Sequence, residues 1–113
     1  MDIQSLKNYL NCDNNFLLNL VQTFIEEATA ITKKIELALK NENAKSIQLN
    51  AHKFLGSVRI LELAELVALL EKIEITSSIN PNSPELKTLV KQLNPSVEKA
   101  IYDLQITLEE LES

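Results

Sequence analysis

The chain has very few of the residues that turn-rich β proteins need. Its 113 residues include one glycine, three prolines, three phenylalanines, two tyrosines and no tryptophan. A sandwich or barrel of short strands requires frequent glycine and proline turns, so this composition disfavours that architecture. Hydrophobic residues, mostly Leu, Ile, Val and Ala, form 45% of the chain. We therefore expect an all-α fold with one core, in a single domain that spans residues 1–113.

The chain also lacks disulfides, an excess of basic charge and long apolar runs. These absences limit the compartment in which it is expected and the classes of partner it can bind. Cys12 is the only cysteine, which excludes a disulfide within the chain and favours a reducing compartment. The net charge of −5 lacks the basic excess of a general nucleic-acid binder. The start, Met-Asp-Ile-Gln, is unlike a signal peptide, and no apolar run approaches the roughly 18 residues of a membrane span. The sequence predicts a cytoplasmic protein, compatible with a free-standing chain, that binds neither nucleic acid nor membrane.

Apolar residues recur at gaps of three and four along four long segments, as expected for helices that each bury one face. The predicted helices run from Asp13 to about Lys40, from Ala44 to Ile60, from Leu61 to about Thr76 and from Pro84 to about Leu111, after a short amphipathic helix from Ile3 to Leu10. The polar link 41–43 is so short that its flanking helices should be antiparallel. We expect an antiparallel up-down four-helix bundle with a short extra N-terminal helix.

Capping residues and prolines set the predicted helix ends. Asn43 is the expected N-cap of the second long helix. The clearest loop runs from Ser77 to Ser83, where a capping serine followed by Pro84 marks the start of the last helix. Pro95 lies inside that helix and removes one backbone hydrogen bond. Because the apolar positions keep helical phase across it, we expect a kink rather than a break.

His52 is the only histidine, and the helical pattern places it on the outside of the second long helix. The buried stripe of that helix centres on Ile47, Ala51, Phe54 and Val58, and His52 points roughly 120° away from it. A neutral imidazole is a nucleophile, so an exposed one can accept a phosphoryl group. An inert surface histidine is the alternative. The residues that share its face are Lys45, Gln48, Leu49, Gly56 and Arg59.

Gly56 and the cations give this face two further features. Glycine in a helix interior costs about 1 kcal/mol relative to alanine, and a side chain at this position would lean over His52. Gly56 therefore leaves room for a partner's active site, unless it serves helix packing or a helix end. Lys45, Gln48 and Arg59 form a polar, cationic strip that can counter phosphoryl charge. Leu49, with Ile60, adds apolar contact area, although an ordinary solvated face would look similar.

The segment Ala51-His52-Lys53-Phe54-Leu55-Gly56-Ser57 resembles the Ala-His-x-Leu-Lys-Gly-Ser signature of the histidine-containing phosphotransfer (Hpt) family of two-component phosphorelays. The segment from Asp13 to Ala28 is similar to the opening helix of that family. The resemblance covers about residues 11–78. It implies that His52 takes a phosphoryl group from a receiver-domain aspartate, or from a histidine kinase, and passes it to another receiver aspartate.

The same resemblance implies partners and supporting residues. The partners would be receiver domains and hybrid histidine kinases, with Mg²⁺ on the receiver, and the chain would be a carrier that needs no cofactor of its own rather than a complete enzyme. Some relatives hold the other histidine nitrogen with a carboxylate from the next helix. Glu74 is the expected counterpart here, and Glu71 is the second choice.

Two positions depart from the family pattern. Leu55 stands where the family usually has lysine, and Glu62 stands where it commonly has glycine. Arg59 or Lys53 could replace the missing lysine.

The alternative function is an Hpt-like adaptor that binds receivers or a kinase without carrying phosphate. A bundle that only scaffolds helical partners is a third hypothesis, whereas a di-iron bundle is disfavoured because Leu49 occupies the Glu position of the Glu-x-x-His pair.

Overall fold

The computed structural model describes residues 14–112, which form four helices and no strand. The helices are α1 (Asn14–Lys40), α2 (Ala44–Ile60), α3 (Ala64–Ile79) and α4 (Pro84–Glu112). Each helix packs on its neighbour in the chain, and α1 also packs on α4, which closes the ring of an up-down bundle. The all-α four-helix prediction is confirmed. The predicted helix Ile3–Leu10 and the Asp13 cap lie outside the described residues, and the single domain over residues 1–113 stays a prediction.

The rotation of α2 is fixed by its apolar stripe. Its buried residues are the four of the predicted stripe, Ile47, Ala51, Phe54 and Val58, together with Leu55. Phe54 stacks on Phe24 of α1, with ring centroids 5.9 Å apart. Burying a large apolar side chain contributes about 1.5–3 kcal/mol, so turning α2 by half a turn would be very costly. The stripe therefore holds the opposite face of α2, which carries His52, toward solvent.

The turn between α1 and α2 shows why α2 begins where the sequence predicts. Glu42 has φ 55°, in the left-handed region, and the amide of Asn43 donates to the carbonyl of Ala38 over 2.8 Å. This pair of features is a Schellman helix end. The Asn43 side chain then accepts from the amide of Ser46 over 3.1 Å, so the predicted N-cap is confirmed.

The predicted start of the third long helix at Leu61 is wrong, because a second Schellman end intervenes. Glu62 has φ 55°, and the amide of Leu63 donates to the carbonyl of Val58 over 3.3 Å. Apolar periodicity does not reveal this turn, since Leu61 and Leu63 are buried and continue the hydrophobic pattern. The helix α3 consequently begins at Ala64, three residues later than predicted.

The predicted loop from Ser77 to Ser83 is also too long. The helix α3 continues to Ile79, because Ser77 is buried and its hydroxyl donates to the backbone carbonyl of Glu74 over 2.9 Å. Asn80 ends the helix, as expected for a residue before proline. The Ser83 hydroxyl accepts from the amide of Leu86 over 3.1 Å, which confirms the predicted cap of α4. That helix runs without interruption past Pro95, and the kink there stays a prediction.

The left-handed position of Glu62 gives a prediction about stability. The left-handed conformation destabilises the folded state by about 1–2 kcal/mol for a residue that has a Cβ. Glycine avoids this strain, but its greater conformational entropy in the unfolded state cancels about 0.5–1 kcal/mol of the gain. We therefore expect Glu62→Gly to raise the free energy of unfolding by about 0.5–1 kcal/mol in urea titrations. Glu36→Gly, at an exposed position inside α1, is the matched control and should lower it by about 1 kcal/mol. A loss of stability in both variants would contradict the assigned turn.

Candidate functional site

The imidazole of His52 lies in solvent on the outer face of α2. Its side chain is 71% exposed, whereas the residues on the inner side of the same turn, Ala51, Phe54 and Leu55, are fully buried. The ring thus stands on a helix that is anchored from below by the core. A partner can approach it without any rearrangement of the bundle.

Glu74 of α3 holds one nitrogen of that ring. Its Oε2 lies 2.8 Å from Nδ1 of His52, and its side chain is 26% exposed. Because a carboxylate only accepts hydrogen bonds, Nδ1 is the protonated nitrogen of the neutral ring. Nε2 then carries the lone pair. The contact between α2 and α3 therefore selects the tautomer in which Nε2 is the nucleophilic nitrogen.

Gly56 follows His52 by one helical turn, on the exposed surface of α2. A Cβ built on Gly56 meets no atom within 4 Å, and its φ is not positive. The helix continues to Ile60. Neither close packing nor a helix end therefore requires glycine at position 56. The physical consequence of this glycine is the open space beside His52.

A shallow groove of about 370 Å³ runs between α2 and α3 beside Glu74. Its apolar wall is formed by Ile75 and Ile79, whose side chains are 58% and 77% exposed. Leu49 lies one turn before His52 on α2 and is 57% exposed. We call the surface made by Leu49, His52, Gly56, Glu74, Ile75 and Ile79 the histidine face. Ile79 was missed from the sequence because the third helix was predicted to end near Thr76, and Ile75 was missed because no local signal reports the register of α2 against α3.

The polar and cationic residues predicted near His52 differ in their exposure and in their contacts. Lys45 and Lys53 are exposed and Gln48 is half-buried at the groove wall. Arg59 Nη2 lies 3.6 Å from Oε1 of Glu71, and both side chains are about half exposed. The predicted strip therefore includes one arginine that is already paired with a carboxylate of α3. Glu71 contacts Arg59 and not His52, so Glu74 rather than Glu71 is the carboxylate on the imidazole.

A family model matches the sequence of nearly the whole described chain. The model of the Hpt domain matches residues 19–113, which include all of α2, α3 and α4. The chain belongs to the Hpt domain family. No curated protein and no solved structure matches it. The family's role is phosphotransfer in two-component systems, in which Hpt domains interact with response-regulator receivers or kinases.

The structure gives a physical meaning to both departures of this Hpt domain from the family pattern. Glu62, where glycine is common, occupies the left-handed position of the turn after α2. Leu55, where lysine is usual, is 0% exposed, so it belongs to the core and supplies no charge to the histidine face. A cation beside His52 must therefore come from elsewhere on the surface.

Among the helices of residues 14–112, none combines the length and the apolar composition of a membrane span. Within the same residues, no group of three or more His, Cys, Asp or Glu side chains is placed to hold a metal ion.

Proposed function

We propose that His52 is the phosphoryl acceptor of this Hpt domain. It takes the group from a receiver-domain aspartate, or from a histidine kinase, and passes it to another receiver aspartate. The observation that carries the proposal is the 2.8 Å contact between Glu74 and Nδ1 of a ring that is 71% exposed. Such a ring presents Nε2 as a nucleophile at a fixed position on a rigid helix.

The proposed transfer is an in-line displacement at phosphorus. The Nε2 lone pair forms the N–P bond while the P–O bond to the receiver aspartate breaks, and the aspartate carboxylate leaves with the bonding electrons. Nδ1 keeps its proton, so the phosphorylated ring is an imidazolium whose positive charge lies against the Glu74 carboxylate. In the onward step a second receiver aspartate attacks phosphorus and Nε2 recovers its lone pair. Mg²⁺ is expected on the receiver, and this chain contributes the nucleophile and its orientation.

The rest of the histidine face fits the proposed contact with a receiver. Leu49, Ile75 and Ile79 offer apolar area around a polar centre, an arrangement common at the cores of protein interfaces. Gly56 leaves space for the rim of the receiver's active site. Lys45, Lys53 and Gln48 are proposed to contact acidic or polar groups of the receiver around that centre.

Phosphotransfer through this chain tests the proposal directly. Receiver domains are phosphorylated with radiolabelled phosphate, freed of donor, and mixed one by one with the purified chain. Label is expected to appear on the chain with at least one receiver, and to move on when a second, unlabelled receiver is added. If the chain binds receivers but acquires no label from any of them, the proposed function is wrong.

The alternative function is an adaptor that binds receivers or a kinase without carrying phosphate. The buried Leu55 favours it, because the lysine that the family usually places there is missing from the site. Binding without transfer in the same assay would support the adaptor. Introducing lysine at position 55 is a poor discriminator, since its stem would have to cross the core before the ammonium group reached water.

Glu74→Ala tests the role proposed for the carboxylate on Nδ1. The substitution removes a hydrogen bond that fixes the tautomer and offsets the charge of the phosphorylated ring. A hydrogen bond to a charged group contributes about 1.5 kcal/mol, so we expect receiver-to-His52 transfer to slow by about tenfold in rapid-quench measurements.

The matched control for this experiment is Glu98→Ala on α4. Glu98 accepts a hydrogen bond from Asn94 over 3.3 Å, and α4 packs mainly on α1 and α3. Transfer to the control should be unaffected. Equal rates for Glu74→Ala and the unmodified chain would remove Glu74 from the proposed mechanism.

A further inference from the structure

Arg59 is the cation of α2 best placed to reach a phosphoryl group on His52. It lies seven residues after His52, about 10 Å further along the axis and within about 20° on the helical wheel. Helical side chains lean toward the N-terminus of their helix, so the long arginine stem leans toward His52. Lys45 lies the same distance before His52 and leans away from it, and Lys53 points about 100° around the helix.

The Arg59 guanidinium is nevertheless held by Glu71. The two side chains approach to 3.6 Å across the α2–α3 groove, at the end of that groove away from Ile79. Arg59 cannot keep this contact at full strength and also reach back to His52. A dianionic phosphoryl group with three acceptor oxygens is a stronger partner for a guanidinium than one carboxylate. Glu71 and phosphorylated His52 are therefore competitors for the same cation.

We infer that Glu71 is a positioning residue that lowers the stability of phosphorylated His52 by holding Arg59 away from the phosphoryl group. The inference rests on the proposed function, because it concerns the phosphoryl group on His52. It also assigns the cation that replaces the lysine missing at Leu55. Because Glu71 competes for Arg59, this arginine holds the phosphoryl group less tightly than an unpaired arginine would. His52 can therefore pass the phosphoryl group more readily to the next receiver.

The size of the effect follows from the exposure of the pair. Arg59 and Glu71 are 55% and 49% exposed, and ion pairs of this kind change an equilibrium by about twofold to fivefold. The same exposure makes the effect sensitive to salt, so it should shrink as the ionic strength is raised to about 1 M. Global stability should hardly respond, because neither side chain belongs to the core.

The test measures a phosphoryl-exchange equilibrium with phosphoramidate, a small donor that needs no receiver. In this exchange Nε2 forms the N–P bond while the P–N bond of phosphoramidate breaks and ammonia leaves. The fraction of phosphorylated chain is measured by intact mass at fixed phosphoramidate and ammonia concentrations, from both directions. Glu71→Gln is expected to raise the exchange constant about twofold to fivefold, and Arg59→Gln is expected to lower it. In the Arg59→Gln background, Glu71→Gln should have no further effect.

The matched control is Glu65→Gln. Glu65 lies on α3 like Glu71, and its Oε2 lies 3.5 Å from Lys99 Nζ of α4 in another exposed ion pair. Its exchange constant should equal that of the unmodified chain. If Glu71→Gln raises the constant equally with and without Arg59, Glu71 acts only through its own charge and the inference is overturned. Failure of the unmodified chain to take any phosphate would instead overturn the proposed function, and the inference with it.

Discussion

His52→Gln is expected to abolish phosphorylation of the chain by receivers and by phosphoramidate. An amide nitrogen has no lone pair available for attack on phosphorus, and His52 is the only histidine. The ring is 71% exposed but is hydrogen-bonded to Glu74, so the free energy of unfolding should fall by no more than about 1.5 kcal/mol. Phosphate incorporation is measured by intact mass, and stability by urea titration of the helical signal.

A relocated histidine provides the control for this variant. Gln105→His, combined with His52→Gln, places an imidazole at an exposed position of α4. The double variant should regain slow labelling by the small donor but none by receivers, because transfer between domains requires the histidine face. Undiminished labelling of His52→Gln alone would eliminate His52 as the acceptor.

Gly56→Leu is expected to slow phosphotransfer from receivers while leaving the reactivity of the His52 ring toward a small donor largely intact. A leucine at this position leans over His52 and occupies the space that a receiver would enter. Displacing reacting groups by about 1 Å can cost about a hundredfold, so transfer from receivers should fall by that order. Labelling by phosphoramidate should fall far less, since the small donor needs little room.

The structure predicts that this loss occurs without damage to the fold. A Cβ at position 56 meets no atom within 4 Å, and replacing a helix-interior glycine by alanine or leucine stabilises by up to about 1 kcal/mol. Gly56→Ala should therefore be more stable and only mildly impaired in receiver transfer. Gln92→Leu, on an exposed part of α4, controls for an added surface leucine. Full receiver transfer by Gly56→Leu would show that the open space has no functional role.

The sequence was sufficient for α2 and insufficient for α3, for a physical reason. The start of α2 follows from a capping asparagine and its buried face from a clear apolar stripe, and both are local features. The start of α3 depends on Glu62 adopting a left-handed conformation in which glycine is the usual residue. Because the flanking leucines continue the apolar pattern, the turn is invisible to periodicity. A second error, the predicted end of α3 near Thr76, left out Ile79, which lines the groove beside the site.

The site was predictable only in part for a related reason. Exposure of His52 and the open surface at Gly56 follow from the position of each residue on one helix. The partner of the imidazole, Glu74, was suggested by the resemblance to the Hpt family and not by any pattern in the chain. The pairing of Arg59 with Glu71 depends on the register between α2 and α3. That register is set by packing of the two helices, which no local sequence signal reports.

The most direct test of the account is to locate phosphate on the imidazole after transfer from a receiver. The chain has one histidine, so the nitrogen-15 spectrum of a uniformly labelled sample contains a single imidazole pair of resonances. After mixing with a phosphorylated receiver, phosphorus coupling is predicted at Nε2 of His52, with Nδ1 still protonated against Glu74. Phosphate on Nδ1, or an unchanged imidazole after the receiver has bound, would contradict the account.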